Sequence, residues 1–351
     1  MSDFPDIIDF VALSLLPAHC WRQVAERVRE GGQPFDVLAQ LACDRTNLSA
    51  AVLRSHAAAA VARGNHGGLW PVVWGRPAYP PQLSTIPDPP MVLWLRGDAE
   101  ALGSHAVAIV GARAASPYAL AVGEQLAHDL AARGVIVVSG LARGVDSAAH
   151  RGALAGRGRT VAVLGCGADV IYPPEHDRLA RDIQASGAVV SELVPGTAPH
   201  KQWFPLRNRI ISGLARAVVV IEAGEKSGSL ITARCALEQG RDVLAVPGNV
   251  LSGRNRGAHA LLRDGAKIVE SADDILEELN MPGAGVQPSR AVVDDPVLAA
   301  MPAGDACDLD EIAVRSRLES ARLLPRLLEL ELLGLVRRAA GGRFVRVDRS
   351  C

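Results

Sequence analysis

The chain of 351 residues is 49% hydrophobic and 21% charged, a composition typical of soluble globular proteins with room for two or three domains. No apolar run approaches the roughly 20 residues that span a bilayer, and the opening MSDFPDII carries acids where a secretion signal needs bases. Six cysteines occur without a C-x-x-C pair, which argues against a zinc site or a disulfide framework. We therefore expect a cytoplasmic protein with no membrane segment, metal ion or other cofactor.

The formal net charge of −1 conceals two segments of opposite sign. Residues 264–311 contain twelve acids and two bases, whereas residues 313–351 contain nine arginines and four acids. Net charge alone is therefore a poor guide to whether the protein binds nucleic acid.

Residues 1–66 are predicted to form a small helical module. Helical patterns cover residues 7–15, 19–29, 34–42 and 47–62. Pairs of short helices can grip a nucleic-acid backbone, but they more often pack on a neighbouring domain, and the sequence leaves both open with the second favoured. Residues 67–105 include a stretch rich in proline and aromatic residues, WPVVWGRPAYPPQL, which predicts an ordered extended linker.

Residues 106–280 repeat an apolar run, a small-residue turn and an amphipathic helix. The first run, AVAIV, stops at Gly111-Ala112-Arg113, and Ser116-Pro117 then begin a helix. Six further strands are predicted at residues 135–139, 160–164, 188–192, 217–221, 242–246 and 267–269. This alternation predicts an α/β fold with a doubly wound parallel sheet. Ligands of such sheets bind beyond the carboxyl ends of the strands, where helix amino termini favour phosphate groups.

Residues 281–290 are predicted to be a linker, and residues 291–351 a winged helix-turn-helix domain. Three helices at 294–301, 309–317 and 321–333 precede two short strands around Gly341-Gly342. In the third helix, two arginines are diluted by Glu329 and Glu331. The sequence therefore leaves a nucleic acid and a protein equally open as the target of this domain.

Two groups of residues are candidates for a binding site. Small residues at the strand ends let phosphates approach the backbone: Gly111, Ala112, Arg113, Ser139, Gly140, Ser227, Gly228 and Ser229. The stretch HKQWFPLRNR at residues 200–209 combines four cationic or potentially cationic side chains with two aromatic rings and no acid. Aromatic stacking beside cations that track the backbone is how proteins hold single strands.

Several other motifs are not expected to form a nucleotide-binding or catalytic site. The GCGADV stretch from Gly165 lacks the third small residue of a dinucleotide fingerprint, and GEKS from Gly224 lacks the upstream glycine of a P-loop. Asp146 and His150 share a helix face but have no further ligand nearby, so a helix cap and a satisfied histidine are expected. Cys166 is interpreted as a small packing residue.

The chain resembles the DNA-processing protein A (DprA/Smf) family. The matching stretches span most of residues 107–270: VAIVGAR, VSGLARGVDSAAH, TVAVLGCGADVIYPPEH, FPLRNRIISGLARAVVVIEAGEKSGSLITARCALEQGRDVLAVPG and GAHALLRDGA. The resemblance implies an extended Rossmann-like domain that binds single-stranded DNA and forms a homodimer. It also implies that the protein loads the RecA recombinase onto the strand, for DNA recombination during natural transformation in competent cells. It also implies that the flanking domains are a SAM/HhH-like module and a winged helix.

Particular site residues follow from this resemblance. The phosphate-cradling turn falls on Gly111, Ala112 and Arg113, where the family's usual turn is Gly-Ser-Arg, so contact at Ala112 must come from its backbone N–H. The basic and aromatic strip falls on Lys201, Phe204, Arg207, Asn208 and Arg209. The dimer interface is expected at the late edge of the sheet, from the apolar pattern of Leu261, Leu262 and Ile268.

Two rival functions remain. SGSLIT at residues 227–232 distantly resembles the phosphate loop of nucleoside monophosphate phosphoribohydrolases, but Arg234 and Cys235 stand where those enzymes need a carboxylate. We therefore expect a protein that is not an enzyme. A domain that senses nucleotides without binding oligonucleotides is the other alternative.

Overall fold

Strand β3 (Ala106–Val110) consists of small and β-branched residues and is buried along its whole length. Alternate side chains of a strand point to opposite faces. Val107 and Ile109 pack in one hydrophobic cluster, whereas Ala108 and Val110 pack in another. The sheet to which β3 belongs is therefore covered by helices on both faces.

The computed structural model describes residues 5–103, 105–280, 295–302, 306–332, 335–338 and 343–346. It divides into two compact units, Met1–Ala284 and Gly285–Cys351. The predicted linker at residues 281–290 and the turn at Gly341-Gly342 lie outside the described residues. Among the helices that are described, none is both long and apolar enough to cross a membrane.

Nine strands of the described chain form one sheet, in the order β1-β2-β6-β5-β4-β3-β7-β8-β9. Their bounds besides β3 are β1 (Trp70–Val73), β2 (Val92–Gly97), β4 (Ile136–Ser139), β5 (Thr160–Val163), β6 (Ala188–Ser191), β7 (Ala217–Val220), β8 (Asp242–Ala245) and β9 (Lys267–Ile268). The seven strands from β6 to β9 in the spatial order just given, which include β3, β4 and β5, are all parallel to their neighbours within this group. The chain winds from β3 to β6 on one side of β3 and then returns to β7 on its other side, so the winding direction reverses between β3 and β7. The predicted doubly wound α/β sheet is confirmed.

The stretch predicted as a linker contains two strands of this sheet, so that prediction is wrong. Strand β1 pairs antiparallel with β2, and β2 pairs antiparallel with β6, with Trp94 opposite Ser191. The prolines at 71, 77, 80, 81, 87, 89 and 90 indicate an ordered extended linker when the sequence is taken alone. Pro71 is nevertheless tolerated because β1 is an edge strand, which needs hydrogen bonds on one side only.

Helices cover both faces of the sheet. Their bounds are α5 (Pro81–Ser84), α6 (Pro117–Ala132), α7 (Val145–Ala155), α8 (Asp177–Ser186), α9 (Trp203–Leu214), α10 (Ser229–Glu238), α11 (Arg256–Arg263) and α12 (Ala272–Glu278), with short 3-10 turns at Ala18–Cys20, Ala99–Leu102 and Pro174–His176. Buried residues of α6, α7 and α12 share a cluster with Val107 and Ile109. Those of α8, α9 and α10 share the cluster on the opposite face.

The amino-terminal helices pack on the sheet. They are α1 (Pro5–Ser14), α2 (Trp21–Arg29), α3 (Pro34–Thr46) and α4 (Ala50–His66). Leu13 and Leu38 belong to the same hydrophobic cluster as Trp94 of β2. A Cβ atom on Gly64 would lie 2.5 Å from Trp94 Cζ3, so only glycine lets α4 approach the strand this closely. Of the two expectations for this module, packing on a neighbouring domain matches the structure.

The carboxy-terminal unit is a winged helix, as predicted. It contains α13 (Pro296–Ala300), β10 (Ala306–Cys307), α14 (Leu309–Ser316), α15 (Ser320–Leu332), β11 (Val336–Arg338) and β12 (Phe344–Arg346). Asp308 and Glu311 form a capping box at the start of α14. Ile312, Leu327 and Phe344 belong to a core of this unit's own residues. The sequence predicted two strands, and the structure adds β10, which pairs with β12.

Candidate functional site

A cleft of about 630 Å³ opens at the carboxyl ends of β3 and β7, where the winding of the sheet reverses. We call it the switch-point cleft. Parallel sheets bind their ligands at this position because strand ends and helix amino termini diverge there. Its lining residues are Val110, Gly111, Ala112, Arg113, Ala142, Asp146, Phe204, Pro205, Arg207, Asn208, Ile211, Gly224, Lys226, Ser227, Gly228, Ser229, Ile231 and Thr232. Nine of the predicted site residues are therefore brought together in one cleft.

Arg207 is a buried cation in this lining. Its Nη1 donates to the carbonyl oxygens of Val163 and Gly140, the latter at 2.7 Å, and its Nε donates to Asn208 Oδ1 at 3.0 Å. A Cβ atom on Gly140 would lie 2.1 Å from Arg207 Nη1. Glycine at position 140 is therefore required for the guanidinium to lie where it does, which is why the predicted small residue matters here.

Asp146 compensates much of the charge of Arg207. Its Oδ2 lies 4.0 Å from Arg207 Nη2 and accepts hydrogen bonds from the backbone N–H groups of Gly140, at 3.2 Å, and Ala142, at 3.4 Å. Burial raises the pKa of Asp146 against the opposing effect of Arg207, and burial lowers the pKa of Arg207. The pair therefore positions the turn after β4 and adds little net charge to the cleft.

The rim of the cleft carries an aromatic ring beneath an exposed cation. Arg113 Cζ lies 5.3 Å from the centroid of the Phe204 ring, and the Tyr172 ring lies 5.6 Å from Phe204. A guanidinium over an aromatic face is favourable, and both planes can stack on a flat ligand. The backbone turn at Gly111 and Ala112 lies beside this pair in the same cleft.

The opposite wall is the amino end of α10. Ser227 Oγ and Ser229 Oγ are 2.7 Å apart, and Gly228 O accepts from Asn208 Nδ2 at 3.3 Å, which fixes the loop to α9. The first N–H groups of α10 already donate to Ser227 and Gly228, so this helix attracts an anion through the positive end of its dipole rather than through free N–H groups. Lys226 is exposed on the same loop and lines the cleft. This wall can therefore hold a phosphate group.

Four predicted site residues do not line the cleft: Gly140, which makes room for the Arg207 guanidinium, and three residues that lie elsewhere. Ser139 is fully buried and its Oγ donates to Ile109 O at 2.7 Å, so it cannot contact a ligand. Lys201 is exposed in the loop before α9 but does not line the cleft. Arg209 is buried and faces other elements. Residues 203–214 form the helix α9, and neighbouring positions of a helix project in different directions, so Arg207 and Arg209 do not share a surface.

Arg209 instead joins three parts of the first unit. Its Nε donates to Asp88 Oδ2 at 2.8 Å and its Nη2 to Glu192 Oε1 at 2.7 Å, while its Cζ lies 5.2 Å from the Trp21 ring centroid. Burial opposes the charge of Arg209, but Glu192 and Asp88 outweigh it and raise the Arg209 pKa. The prediction that Arg209 belongs to the binding strip is therefore corrected to a structural role.

The titratable groups near the cleft are poorly suited to acid–base or nucleophilic catalysis. Burial lowers the pKa of His150 to about 3, and its Nδ1 is paired with Thr160 Oγ1 at 2.7 Å. Burial raises the pKa of Cys166 to about 11, and its thiol donates to Val170 O. Asp146 is the one carboxylate among the described residues that line the cleft. In the described part of the chain, no group of three or more His, Cys, Asp or Glu residues is arranged to hold a metal ion.

Lys226 is the functional candidate that sequence reasoning missed. The GEKS motif that contains it fails as a P-loop, so the motif does not single out this lysine. The available signal was its position, since it follows β7 by a few residues and therefore falls at the carboxyl edge of the sheet. Ile211, Ile231 and Thr232 also line the cleft, but helix positions of this kind cannot be told from core positions in a sequence.

The residues proposed for a dimer interface lie at the late edge of the sheet. Leu261 and Leu262 are half-buried on α11 and pack against the main hydrophobic cluster. Ile268 is 57% exposed on β9, which is the last strand of the sheet and has a neighbour on one side only. An open edge of this kind can accept a second copy.

Fold and cleft together define a Rossmann-like protein with a cation-bearing crevice at the switch point of its sheet, in a chain that also contains a winged helix. The family model for DNA recombination-mediator protein A matches residues 70–280, and the model for the DprA winged helix domain matches residues 284–342. The chain belongs to the DNA recombination-mediator protein A family, as the sequence resemblance indicated.

Similar proteins agree with this assignment. Protein Smf of Escherichia coli K12 is 41% identical over 285 residues, which cover 78% of this chain and 76% of that protein. The crystal structure of DNA processing protein A from Streptococcus pneumoniae has a TM-score of 0.68 at 37% identity and covers 79% of this chain and 99% of that one. The structure of DNA processing protein A from Helicobacter pylori, which gives insight into its single-stranded DNA binding mode, has a TM-score of 0.55 at 29% identity and covers 61% and 97%.

Proposed function

We propose that this protein binds single-stranded DNA in the switch-point cleft and, as a homodimer in the cytoplasm, loads the RecA recombinase onto that strand during natural transformation. The observation that carries the proposal is the combination of an aromatic ring, two exposed cations and a helix amino end around one cleft. Single strands need both a stacking surface and a cationic path for the backbone. The binding mode named for the Helicobacter pylori relative supports this choice of ligand.

Each wall of the cleft is assigned a part in holding the strand. Phe204 supplies the stacking surface, while Arg113 and Lys226 supply charge at the rim. Neither cation has an ion-pair partner among the described residues, so each can release counterions from a bound strand. Arg207 is compensated by Asp146 and shapes the floor. Lys201, exposed outside the cleft, is proposed to contact the strand beyond it.

The decisive experiment compares the salt dependence of oligo(dT) binding in matched variants. Arg113→Gln and Lys226→Gln should each reduce the slope of log K against log salt by about 0.7, the change expected when one phosphate contact is lost. Arg157→Gln is the control, because Arg157 is exposed two residues after α7, at the end of that helix away from the cleft. If all three variants keep the wild-type slope, the switch-point cleft is excluded as the binding site for the strand.

The stacking role has a different signature. Phe204→Ala should weaken binding by about 1–3 kcal/mol without changing the slope, because a lost stack releases no counterion. Since the Phe204 ring also packs on Tyr172 and below Arg113, thermal unfolding of the variant must be checked. A slope change as large as that of Arg113→Gln would show that Phe204 acts only by holding the cation.

The recombinase step is tested with the same variants. Loading is measured as the rate at which RecA begins ATP hydrolysis on single-stranded DNA covered by a single-strand-binding protein. We expect the wild-type protein to shorten the lag, and Arg113→Gln to lose this effect in proportion to its loss of affinity. A normal lag reduction by a variant that no longer binds DNA would separate recombinase loading from the cleft.

The winged helix is assigned a smaller share of DNA binding. Arg326 on α15 is bound to Asp295 and Glu329, and the neighbouring positions Leu324 and Leu328 are 48% and 52% exposed. A helix that reads or tracks DNA normally offers free cations rather than leucines. Arg322 on the same helix is exposed, so one cation lies beside these two leucines, and this mixed surface favours a protein contact over a nucleic-acid contact.

A further inference from the structure

A second cavity, of about 550 Å³, lies beyond the carboxyl ends of β7 and β8. It is formed by the start of α6 and by the loop between β8 and α11, and we call it the Glu222 cavity. Residues Gly111, Ala112 and Arg113 of the turn after β3 line the switch-point cleft, whereas Ser116, Pro117 and Tyr118 line the Glu222 cavity. One short turn therefore separates the two cavities.

The charge of the Glu222 cavity excludes a phosphate group. Glu222 is 2% exposed, and its carboxylate accepts from Ser116 N at 3.0 Å and from Ser116 Oγ at 2.6 Å. An anionic ligand placed against this carboxylate would be repelled in surroundings of low polarity. Arg254, the cation of this lining, is exposed and donates to Ala114 O at 2.9 Å, on the side of the turn. The cavity therefore suits a neutral group that donates hydrogen bonds.

The donor pattern narrows the ligand further. Each carboxylate oxygen of Glu222 accepts one bond from Ser116, and a carboxylate has about four acceptor positions, so each oxygen can accept one more. Two adjacent N–H donors match this arrangement. Among the DNA bases only guanine offers them, from N1 and the N2 amino group of its Watson–Crick edge. Adenine and cytosine place an acceptor beside their amino donor, and the single N3–H of thymine lies between two carbonyl groups.

Other residues of the cavity fit a base. Tyr118 is 51% exposed, and its hydroxyl donates to Pro247 O at 3.1 Å, which holds the ring in place at the cavity. A fixed exposed ring is a stacking surface for a base. Asn255 is 3% exposed, and its Oδ1 accepts from Ala223 N at 3.3 Å. This fixes the amide, whose nitrogen is a donor of the kind that guanine O6 accepts.

We propose that the Glu222 cavity binds a guanine base through the carboxylate of Glu222 and the ring of Tyr118. The inference rests on the proposed single-strand binding, because a strand held at Arg113 would pass over the separating turn and present a neighbouring base here. Single strands are recognised in this way, with bases splayed into pockets that read their Watson–Crick edges. The cleft then supplies affinity, and the Glu222 cavity supplies a preference among sequences.

The test measures binding of labelled oligo(dT), oligo(dT) with central deoxyguanosines, and the same oligonucleotide with deoxyinosine in their place. Inosine lacks the N2 amino group and so loses one bond to the carboxylate. We expect the guanosine oligonucleotide to bind about fivefold or more tightly than the inosine one. Equal affinities would overturn the proposal while leaving single-strand binding intact, and failure to bind oligo(dT) would instead overturn the proposed function.

Two variants complete the test. Glu222→Gln keeps the size of the side chain and an acceptor for Ser116 N, and should remove the guanosine preference while oligo(dT) binding stays unchanged. Glu225→Gln makes the same charge change at an exposed position outside the Glu222 cavity and should keep the preference. A preference that survives Glu222→Gln would overturn the proposal. If Glu222→Gln fails to fold, the guanosine-to-inosine comparison in the wild-type protein still decides it.

A free guanine nucleotide would present the same base edge as a strand. Competition by deoxyguanosine monophosphate against the guanosine oligonucleotide distinguishes the two sources. If deoxyguanosine monophosphate competes more than about a hundredfold less well than the oligonucleotide, the Glu222 cavity is assigned to a base of the strand. Such a base binds more tightly because the rest of the strand is held in the cleft, which raises its effective concentration. Competition as strong as that of the oligonucleotide, lost in Glu222→Gln, supports the guanine site and assigns it to the nucleotide.

Discussion

Replacing Arg209 with methionine tests whether this arginine is structural, as its buried contacts indicate, or part of the basic and aromatic strip, as its sequence context predicts. The Arg209 side chain is 7% exposed and its guanidinium is bound to Asp88 and Glu192, of which Glu192 is 8% exposed. Methionine fills similar space but leaves the Glu192 carboxylate buried without its cation. Breaking a buried pair from one side costs about 3–5 kcal/mol, a large part of the 5–15 kcal/mol by which domains are usually stable.

The loss of stability in the Arg209→Met protein should depend on pH, because the buried carboxyl of Glu192 can take up a proton. Burial already raises the pKa of Glu192 against the opposing charge of Arg209, and removing that charge raises the pKa further. When the pKa of a carboxyl is higher in the folded protein than in the unfolded one, the free energy of unfolding of the protein falls as pH rises through the folded pKa. The Arg209→Met protein should therefore be destabilised more at pH 8 than at pH 5, where Glu192 can take up a proton.

Urea unfolding at both pH values, together with oligo(dT) binding by the folded protein, measures these effects. Glu192→Gln combined with Arg209→Met should recover part of the loss, since the amide needs no counterion. A destabilisation below about 1 kcal/mol at pH 8 would refute the buried-pair reasoning. A tenfold loss of affinity in a folded Arg209→Met protein would return Arg209 to the binding site.

Three further predictions follow from the same geometry. Gly140→Ala should displace Arg207 and destabilise the fold by about 2 kcal/mol or more in urea unfolding, because the new Cβ would lie 2.1 Å from its Nη1; an unchanged midpoint would contradict this contact. Truncation after Leu279 should keep most oligo(dT) affinity in a mobility-shift assay, and loss of binding by a folded truncation would move the main site to the winged helix. Ile268→Arg should yield a folded monomer by light scattering with reduced affinity, since Ile268 is exposed enough to accept a charge within one copy, and a dimer that persists would place the interface elsewhere.

Local sequence patterns determined the parallel sheet and the winged helix. A run such as AVAIV at residues 106–110 has no alternation of polar and apolar residues, which indicates a strand covered on both faces, and a turn with glycine follows it. Such signals are local, so they survive in a single sequence. They also placed most of the candidate site, because the carboxyl ends of parallel strands must meet at one edge whatever their order.

Only the tertiary structure decided that β1 and β2 are strands. It also decided where the side chains of the HKQWFPLRNR stretch lie. The proline-rich residues 70–97 form strands because they pair with the free edge of the sheet at β6. The sequence of this segment contains no information about that edge. Arg207 and Arg209 have the same chemistry two positions apart. The helix turns one toward the cleft and the other toward Asp88 and Glu192, residues far away in the sequence. Whether a cation meets solvent, a ligand or a buried carboxylate depends on such distant partners, which local sequence cannot specify.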